Sequence, residues 1–600
     1  MNALRRLTIG FSIVLLTVLG LWFVSDHTEE EDQVTEYSTL RAAMDDIMAE
    51  DLKVTIQMFL YQIEEDIRGW DKESWSDETV RTRMLKEVED HPHILGFYYK
   101  HDGMEYTVGN VTEDYEQRFV HRKDNGIALS DPFIDHGKKH ILMGKIDIEE
   151  TYVAEVDLSF IENFVKDTAA VADSNGQFFI GDGKIDVSLE KEEAELPYAR
   201  KEIPEIGWNL YVQSEESDES EEHYKQGEVI IELEPNINDK QWAEEQNVTV
   251  IDRINSKIVV RSPNSSTEQL MEKWVHDNSV VYMEPNFMYS KQTIDYRKRP
   301  RRSLNYFGPM DNLQQPNDEF YEPYQWNLSQ IFADEAWNVT IGKTGVPIAI
   351  VDSGIDGEHL DLAEKITDGF NAFENNGAYH DEHGHGTHVA GIAAAITNNL
   401  DGIAGVSWNN PILAVKSLDH NAEGNSLSIA KGIIWAVDNG AKVINLSLGD
   451  AHDSDIMYEA IRYAYENDVV LIAASGNDNV EIPMYPAAYK EVLAVGAVDP
   501  HRERAFFSNY GNHIDVTAPG EHIPSTFLSN QYVMMSGTSM AAPHVAGMAG
   551  LIRSVNPELT NEEIYTIIRN TSDDLGEQGY DPFYGYGEIN MKQALEEIRH

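Results

Sequence analysis

From Val346 onward, short apolar strand-like runs alternate with stretches of helical spacing. That alternation is the signature of a parallel α/β sheet. Open sheets of this kind place their sites beyond the carboxyl ends of the strands. Three motifs stand at strand ends or helix starts. In Ile348-Ala-Ile-Val-Asp352-Ser-Gly, four apolar residues run straight into an aspartate and a glycine turn. His383-Gly-His385-Gly-Thr-His388-Val-Ala-Gly391 opens a helix of small residues. Ser536-Gly-Thr-Ser539-Met-Ala-Ala-Pro-His544 is a glycine-flanked turn into an apolar helix, with Ser539 at its start. A serine hydroxyl needs a base to take its proton, and a histidine base needs a buried carboxylate to fix its tautomer and stabilise its cation. A helix N-terminus behind the serine adds N–H dipoles where negative charge develops. These residue types fit nucleophilic acyl transfer.

Taken together, the three motifs resemble those of the subtilisin-like serine proteases (the subtilase, or peptidase S8, family), and look closest to its thermitase-like branch. Their Asp…His…Ser order is that of subtilisin, and the resemblance covers about residues 315–590. It implies a doubly wound α/β peptidase domain over 316–600. Asp352 would be the orienting carboxylate, His385 the general base and then acid, and Ser539 the nucleophile that forms an acyl-enzyme. The run Val470-Leu-Ile-Ala-Ala-Ser-Gly-Asn477 matches the family's oxyanion strand and assigns the side-chain donor to Asn477. Ile444-Asn-Leu-Ser447-Leu448-Gly449 matches its substrate-binding segment, where backbone pairs with an extended peptide as an added strand. Ser475 and Gly476 would line the opposite wall of the pocket.

The same resemblance implies structural calcium. Thr397-Asn-Asn399-Leu-Asp401-Gly-Ile403 is similar to the family's strong calcium loop. By that match Asn399 gives a side-chain oxygen, Thr397, Asp401 and Ile403 give backbone carbonyls, and Asp318 and Asp361 give carboxylates. Such a set suits the 6–8 oxygens calcium takes. The four histidines His380, His383, His385 and His388 lack the spacing and the glutamate of a zincin helix. His388 and His544 are expected to make structural hydrogen bonds within their helices, and Asp356 to be structural.

The 104 acidic and 46 basic residues leave a net charge of −58. The excess is shared evenly, −31 over residues 1–300 and −27 over 301–600. A surface this negative repels phosphate backbones, which argues against nucleic-acid binding. Salt adaptation and general solubility explain it equally well. With no cysteine in the chain, disulfides, thiolate chemistry and cysteine-based zinc sites are excluded.

Upstream, Arg5 and Arg6 precede the apolar run Leu7–Val24, which ends in Trp22-Phe23 without a small-x-small cleavage site. Residues 1–25 are expected to be a signal anchor or signal peptide. Residues 7–24 would contact the membrane with the N-terminus in the cytoplasm, and the rest would lie outside it. Residues 36–70 read as a long helix, followed by strand-like segments at Ile94–Lys100, Tyr152–Leu158, Ala170–Ala172, Phe178–Ile180 and Trp208–Gln213. Val171–Ile180 and Ile206–Val212 resemble extracytoplasmic sensor domains of the Cache type, which implies an α+β PAS-like region over 36–215 whose ligand the sequence does not name. Residues 226–290 read β-α-β-β-α-β, a ferredoxin-like order. Subtilases commonly carry an inhibitory propeptide (inhibitor I9-like) of that shape and position. Residues 291–315, with Arg297-Lys-Arg-Pro-Arg-Arg302, would be a basic linker and processing region, with self-cleavage between about Met288 and Pro316.

The expectation is therefore a secreted or membrane-tethered serine endopeptidase made as a self-processing zymogen, monomeric after processing. Its partners would be extended protein or peptide substrates and its own propeptide 226–290. The alternative is a membrane-anchored ligand sensor carrying an inactive protease-like binding module.

Overall fold

The computed structural model describes residues 45–291, apart from 66, 68–76, 92, 102–103, 113–114, 123–126, 136–137, 147–149, 159–176, 182–198, 205–207 and 214–222, and then residues 315–599. The expected anchor at 7–24, the strand-like Ala170–Ala172 and the basic run 297–302 lie outside the described residues. Among the described residues no helix is long and apolar enough to cross a membrane.

The C-terminal half is built on seven parallel strands. Their order is Ile366–Asn371, Ile412–Lys416, Ile348–Asp352, Val443–Leu446, Val470–Ala474, Leu493–Val498 and Val516–Pro519. The short runs are all but continuously apolar because both faces are covered, and alternate side chains serve different cores. Ile348 and Ile350 pack with the helices His385–Ala394 and Thr538–Val555. Ala349 and Val351 pack with the helices Ser426–Asp438 and Asp455–Glu466. The strand order changes direction between Ile348–Asp352 and Val443–Leu446, and the crevice beyond such a switch point is where open α/β sheets bind ligands.

Residues 224–291 form a four-stranded antiparallel run in the order Thr249–Ile254, Lys257–Arg261, Tyr224–Leu233 and Val280–Lys291. Helices Asp239–Gln246 and Thr267–Trp274 cover one face through Trp242, Leu270 and Trp274 on Val229, Ile231 and Val260. The other face presents Ile230 and Val259 to the peptidase helices, in one buried cluster with Leu427, Ile456 and Ala460.

The N-terminal part pairs a helix over 45–65 and the helix Asp77–Asp90 with a seven-stranded antiparallel sheet. A separate three-stranded sheet is ordered Gln177–Gly181, Trp208–Gln213, Ala199–Ile203. Both sheets contribute to one core: Leu52, Ile56 and Ile63 of the helix meet Phe97, Ile141 and Val156 of the first sheet and Ile203 and Leu210 of the second.

Candidate active site

Asp352 ends its strand at the switch point and is fully buried. Its Oδ1 lies 2.8 Å from His385 Nδ1 and also accepts the Ser353 amide at 2.7 Å. His385 is the first residue of its helix, so its ring is held at the crevice by the helix start. Gly384 precedes it at φ 103, and a Cβ there would meet the Phe527 ring at 2.2 Å. Ser539, second residue of the long helix Thr538–Val555, is also buried. Its hydroxyl donates to the Ser447 carbonyl at 3.1 Å, and the Ser447 hydroxyl donates back to the Ser539 carbonyl at 2.9 Å. The structure thus joins aspartate to histidine but leaves the serine hydroxyl turned to Ser447 rather than to the imidazole. Catalytic hydrogen bonds between serine and imidazole commonly tighten only when substrate is in place.

The Asn477 side chain is fully buried and its Oδ1 accepts the Thr538 amide at 2.7 Å. That bond, one residue before Ser539, fixes the orientation of the carboxamide. Gly476 donates its amide to Thr538 Oγ1 at 3.1 Å and accepts the Asn509 amide at 2.9 Å, so the strand end and the nucleophile turn are stitched together. Ser475 is buried beside it.

The segment expected to bind an extended peptide is already paired. The strand Val280–Lys291 runs past its own sheet and lies antiparallel between two peptidase segments. Met288, Tyr289 and Ser290 register with Asn425, Gly424 and Glu423 on one side. Ser290 and Lys291 register with Gly449 and Leu448 on the other. Tyr289 is buried, its hydroxyl donating to the His452 carbonyl at 2.9 Å. Lys291 Nζ sits 3.0 Å from His383 Nε2, and burial together with that ammonium holds the His383 imidazole far below its usual range.

The predicted cation ligands converge as carboxylates but differ in one detail. Asp361, fully buried, accepts from Asn399 Nδ2 at 2.7 Å, the Ile403 amide at 3.0 Å and the Tyr532 hydroxyl at 2.9 Å. Asn399 therefore presents its nitrogen, with Oδ1 accepting the Asp401 amide at 3.1 Å, where the sequence reading had its oxygen facing the ion. Asp318 accepts the Asn398 amide at 2.9 Å. Burial pushes the Asp361 carboxyl up to about 7 and Asp318 up to about 6. Two desolvated carboxylates facing an Asn/Asp loop, with no lysine or arginine among the groups acting on them, fit a hard cation. Gly402, at φ 56, allows the close approach: a Cβ there would meet Asp361 Oδ2 at 2.0 Å. Thr397 lies in the same loop, its hydroxyl accepting the Gly405 amide at 2.9 Å.

Two residues that the sequence did not single out position the site. Asp381, fully buried, accepts the amides of His383, Gly384 and Thr387 at 2.9, 2.9 and 3.0 Å and so caps the helix that carries His385. An aspartate four residues before a helix-opening histidine is the signal that could have found it. Glu284, from the strand Val280–Lys291, accepts the Asp455 and Ile456 amides at 3.1 and 3.3 Å. It thereby caps a peptidase helix whose own Ser454 makes no side-chain cap. His544 bonds to Met540 O in its helix at 2.8 Å, as its position suggests. His388 instead bonds across to Val533 O at 3.2 Å, because its ring leaves the helix toward the neighbouring hairpin. Asp356 is structural, its carboxylate accepting the Glu358 and Ser529 amides at 3.1 and 2.9 Å.

Comparison with known proteins agrees with this geometry. The profile of the Subtilase family matches residues 343–587. A thermophilic serine proteinase of Bacillus sp. (strain AK1) is 39% identical over 378 residues, covering 62% of this chain and 88% of that protein. Thermitase of Thermoactinomyces vulgaris is 41% identical over 281 residues, 47% of this chain and 99% of that one. Among solved structures, fervidolysin from Fervidobacterium pennivorans, a keratinolytic enzyme related to subtilisin, superposes with a TM-score of 0.54 at 26% identity, covering 63% of this chain and 62% of its own. A parallel α/β sheet, an aspartate–histidine pair at its switch point and near-complete coverage of two serine proteinases lead to one conclusion: the chain belongs to the subtilase family and is a subtilisin-like serine endopeptidase.

Proposed function

We propose that the chain is made as an autoinhibited zymogen that cuts itself, with Ser539 as nucleophile, His385 as base and acid, Asp352 as its orienting carboxylate and Asn477 as an oxyanion donor. In this reading Ser539 Oγ attacks the scissile carbonyl as its proton passes to His385 Nε2. The tetrahedral intermediate then collapses to an acyl-enzyme as the same proton goes to the leaving amine, and water repeats the sequence in reverse. The observation that carries the proposal is the strand Val280–Lys291, seated antiparallel between Glu423–Asn425 and Leu448–Gly449 as an extended substrate would be. The relative from Bacillus sp. (strain AK1) supports it: an alignment of 378 residues is longer than residues 316–600 can supply, so the likeness extends upstream of the peptidase domain. A serine-directed phosphonate tests it: adduct mass is expected on the Ser539 peptide of the processed protein and absent from Ser539→Ala. Processed protein that takes no label would instead fit an inactive binding module.

The register also sets the expected cut. Ser290 faces Gly449 and Lys291 faces Leu448; the same register continued by one residue would bring Gln292 to Ser447, whose carbonyl accepts the Ser539 hydroxyl. Cleavage of the Gln292–Thr293 bond is expected, and N-terminal sequencing of the mature enzyme should begin at Thr293. A start far into 300–315 would contradict the register. The inhibitory contact is held elsewhere by Glu284 on its helix and by the pairs Lys257–Glu459 and Asp252–Lys431. Glu284→Ala removes a cap and should weaken inhibition by the cleaved fragment by about 1–2 kcal/mol, roughly 5- to 30-fold in its inhibition constant.

Calcium would be held by Asp318, Asp361, Asn399 after its carboxamide turns, and the carbonyls of Thr397, Asp401 and Ile403; there it would supply positive charge to two buried carboxylates. Chelation is expected to lower Tm by about 5–10 °C, from roughly 2.7 kcal/mol of binding linkage at a hundredfold excess over Kd. The pH dependence has a definite sign. Asp361 is raised to about 7 and Asp318 to about 6, so the calcium-free fold holds protons that the unfolded chain releases near pH 4. Its stability should fall as pH rises from about 4 to 7, while the gain from added calcium grows over the same interval. Differential scanning calorimetry at fixed ionic strength checks both. A Tm indifferent to chelator at pH 8 would remove the cation from this account.

Placement outside the cytoplasm, by export or tethering through residues 7–24, and a Cache-like sensing role for residues 36–215 complete the proposal. The long helix laid across antiparallel sheets supports the sensing part.

A further inference from the structure

The helix over 45–65 has two working stripes. Leu52, Ile56, Phe59 and Ile63 enter the core of the N-terminal module, and Lys201 of that module pairs with Asp46 and Glu50 at 3.0 and 2.9 Å. Asp51, Thr55 and Met58, at i, i+4 and i+7, turn the other way and meet the peptidase domain. Asp51 Oδ2 accepts the Ser536 hydroxyl at 2.8 Å, three residues before the nucleophile, and its Oδ1 lies 2.5 Å from His522 Nδ1. Thr55 Oγ1 accepts the Met534 amide at 3.0 Å. Met58 is buried in a cluster with Phe320, Ile403, Tyr532 and Met534, and Tyr61 stands edge-on to Tyr324 at 5.8 Å. These are core-like contacts between segments hundreds of residues apart, and none passes through the strand Val280–Lys291. Thermitase is matched over 99% of its length by 47% of this chain, a stretch too short to run from the peptidase domain back to this helix. The contact therefore lies outside the matched peptidase region.

We propose that this stripe is a second holding surface, whose occupant is the chain's own N-terminal module, and that it keeps the peptidase domain bound to that module after the chain between them is cut. The inference rests on the zymogen reading for its biological meaning. Cutting near residue 292 would then not by itself release the enzyme. Release requires both surfaces to part: the inhibitory strand, and the Asp51–Thr55–Met58 stripe. A ligand or pull acting on the module would be felt at Ser536 and at the loop carrying Ile403.

The test does not depend on self-cleavage. In full-length Ser539→Ala carrying the recognition sequence of an unrelated protease within 303–313, the chain is cut externally and dissociation of the two pieces is timed by co-elution on an N-terminal tag. Met58→Glu and Asp51→Lys are each expected to speed dissociation at least tenfold, and their effect should multiply with that of Glu284→Ala. Hydrogen exchange in the strands Lys138–Ile146 and Glu150–Asp157 should remain as slow as in the parent, showing that the module is still folded. A further readout is pH. Burial pushes His522 down, but Asp51 and Glu50 on the helix and Glu521 on its own loop outweigh it and raise the imidazole to about 9. Holding should therefore be firm at neutral pH and weaken as pH climbs through about 9. Dissociation at the parent rate in both folded variants would overturn the proposal. Loss of phosphonate labelling at Ser539 of the native sequence would instead strike the zymogen reading and leave this one standing.

Discussion

Ser539→Ala should leave the protein as one uncut 67.8 kDa chain, with residues 226–291 still attached and peptide-bond turnover reduced by about 10⁶. A loss of that size is the one seen in subtilisin when its nucleophile is removed, because the histidine and aspartate have no other group to activate. Here the Asp352–His385 pair is already closed at 2.8 Å, so the substitution subtracts the attacking atom and leaves the base in position. The hydroxyl it removes makes one hydrogen bond, to the Ser447 carbonyl. Stability should therefore change by no more than about 1 kcal/mol, and the uncut chain should still be folded. His385→Ala should give the same uncut chain. Gel mobility after prolonged incubation, with turnover of a chromogenic peptide, decides the matter. Processing of Ser539→Ala at the parent rate would mean that another group, or another enzyme, makes the cut.

What the sequence made legible is what a local pattern can encode. Asp352 follows four apolar residues that only a buried strand explains, and His385 and Ser539 each open a helix through glycine turns, so their positions in the fold were readable. The four strands of the 224–291 segment were readable for the same reason, with turn residues between clear runs. The N-terminal sheet was less so. Met104–Gly109 and Ala199–Ile203 are short and interrupted by charge, and in Lys138–Ile146 a short apolar stretch, Ile141–Met143, is flanked by lysines and shows no strand-like alternation. Their strand character comes from pairing with partners such as Ile94–His101 and Glu150–Asp157, not from their own pattern. The direction of the Ser539 hydroxyl depends on a carbonyl 92 residues away, and Glu284 caps a helix 171 residues downstream. Contacts of that range leave no periodic trace in a single chain. Asn399 shows a subtler limit: its place in the loop was legible, but which end of its carboxamide faces Asp361 is set by contacts outside its own local pattern.

Asn477→Ala should lower kcat by about 10²–10³ and leave KM nearly unchanged, as loss of the equivalent donor does in subtilisin. The split follows from where binding energy resides. An extended peptide is held by backbone pairing along Glu423–Asn425 and Leu448–Gly449, and those segments do not involve the carboxamide. In the proposed mechanism the carboxamide instead faces charge that exists only in the tetrahedral intermediate, so its removal would raise the barrier without loosening the ground state. A second effect separates its two ends. Asn477 Oδ1 accepts the buried Thr538 amide, and alanine leaves that N–H without an acceptor at a cost of about 1–3 kcal/mol of stability. Asn477→Asp restores an acceptor for Thr538 but puts a carboxylate where the oxyanion forms. It should therefore melt closer to the parent than alanine does, yet turn over no faster. Because the same site makes the first cut, the half-time of self-processing should lengthen in both variants by the factor lost from kcat. If Asn477→Asp kept parental turnover, or if alanine raised KM rather than lowering kcat, Asn477 would be a structural brace of the nucleophile turn, and the oxyanion would be held by backbone amides alone.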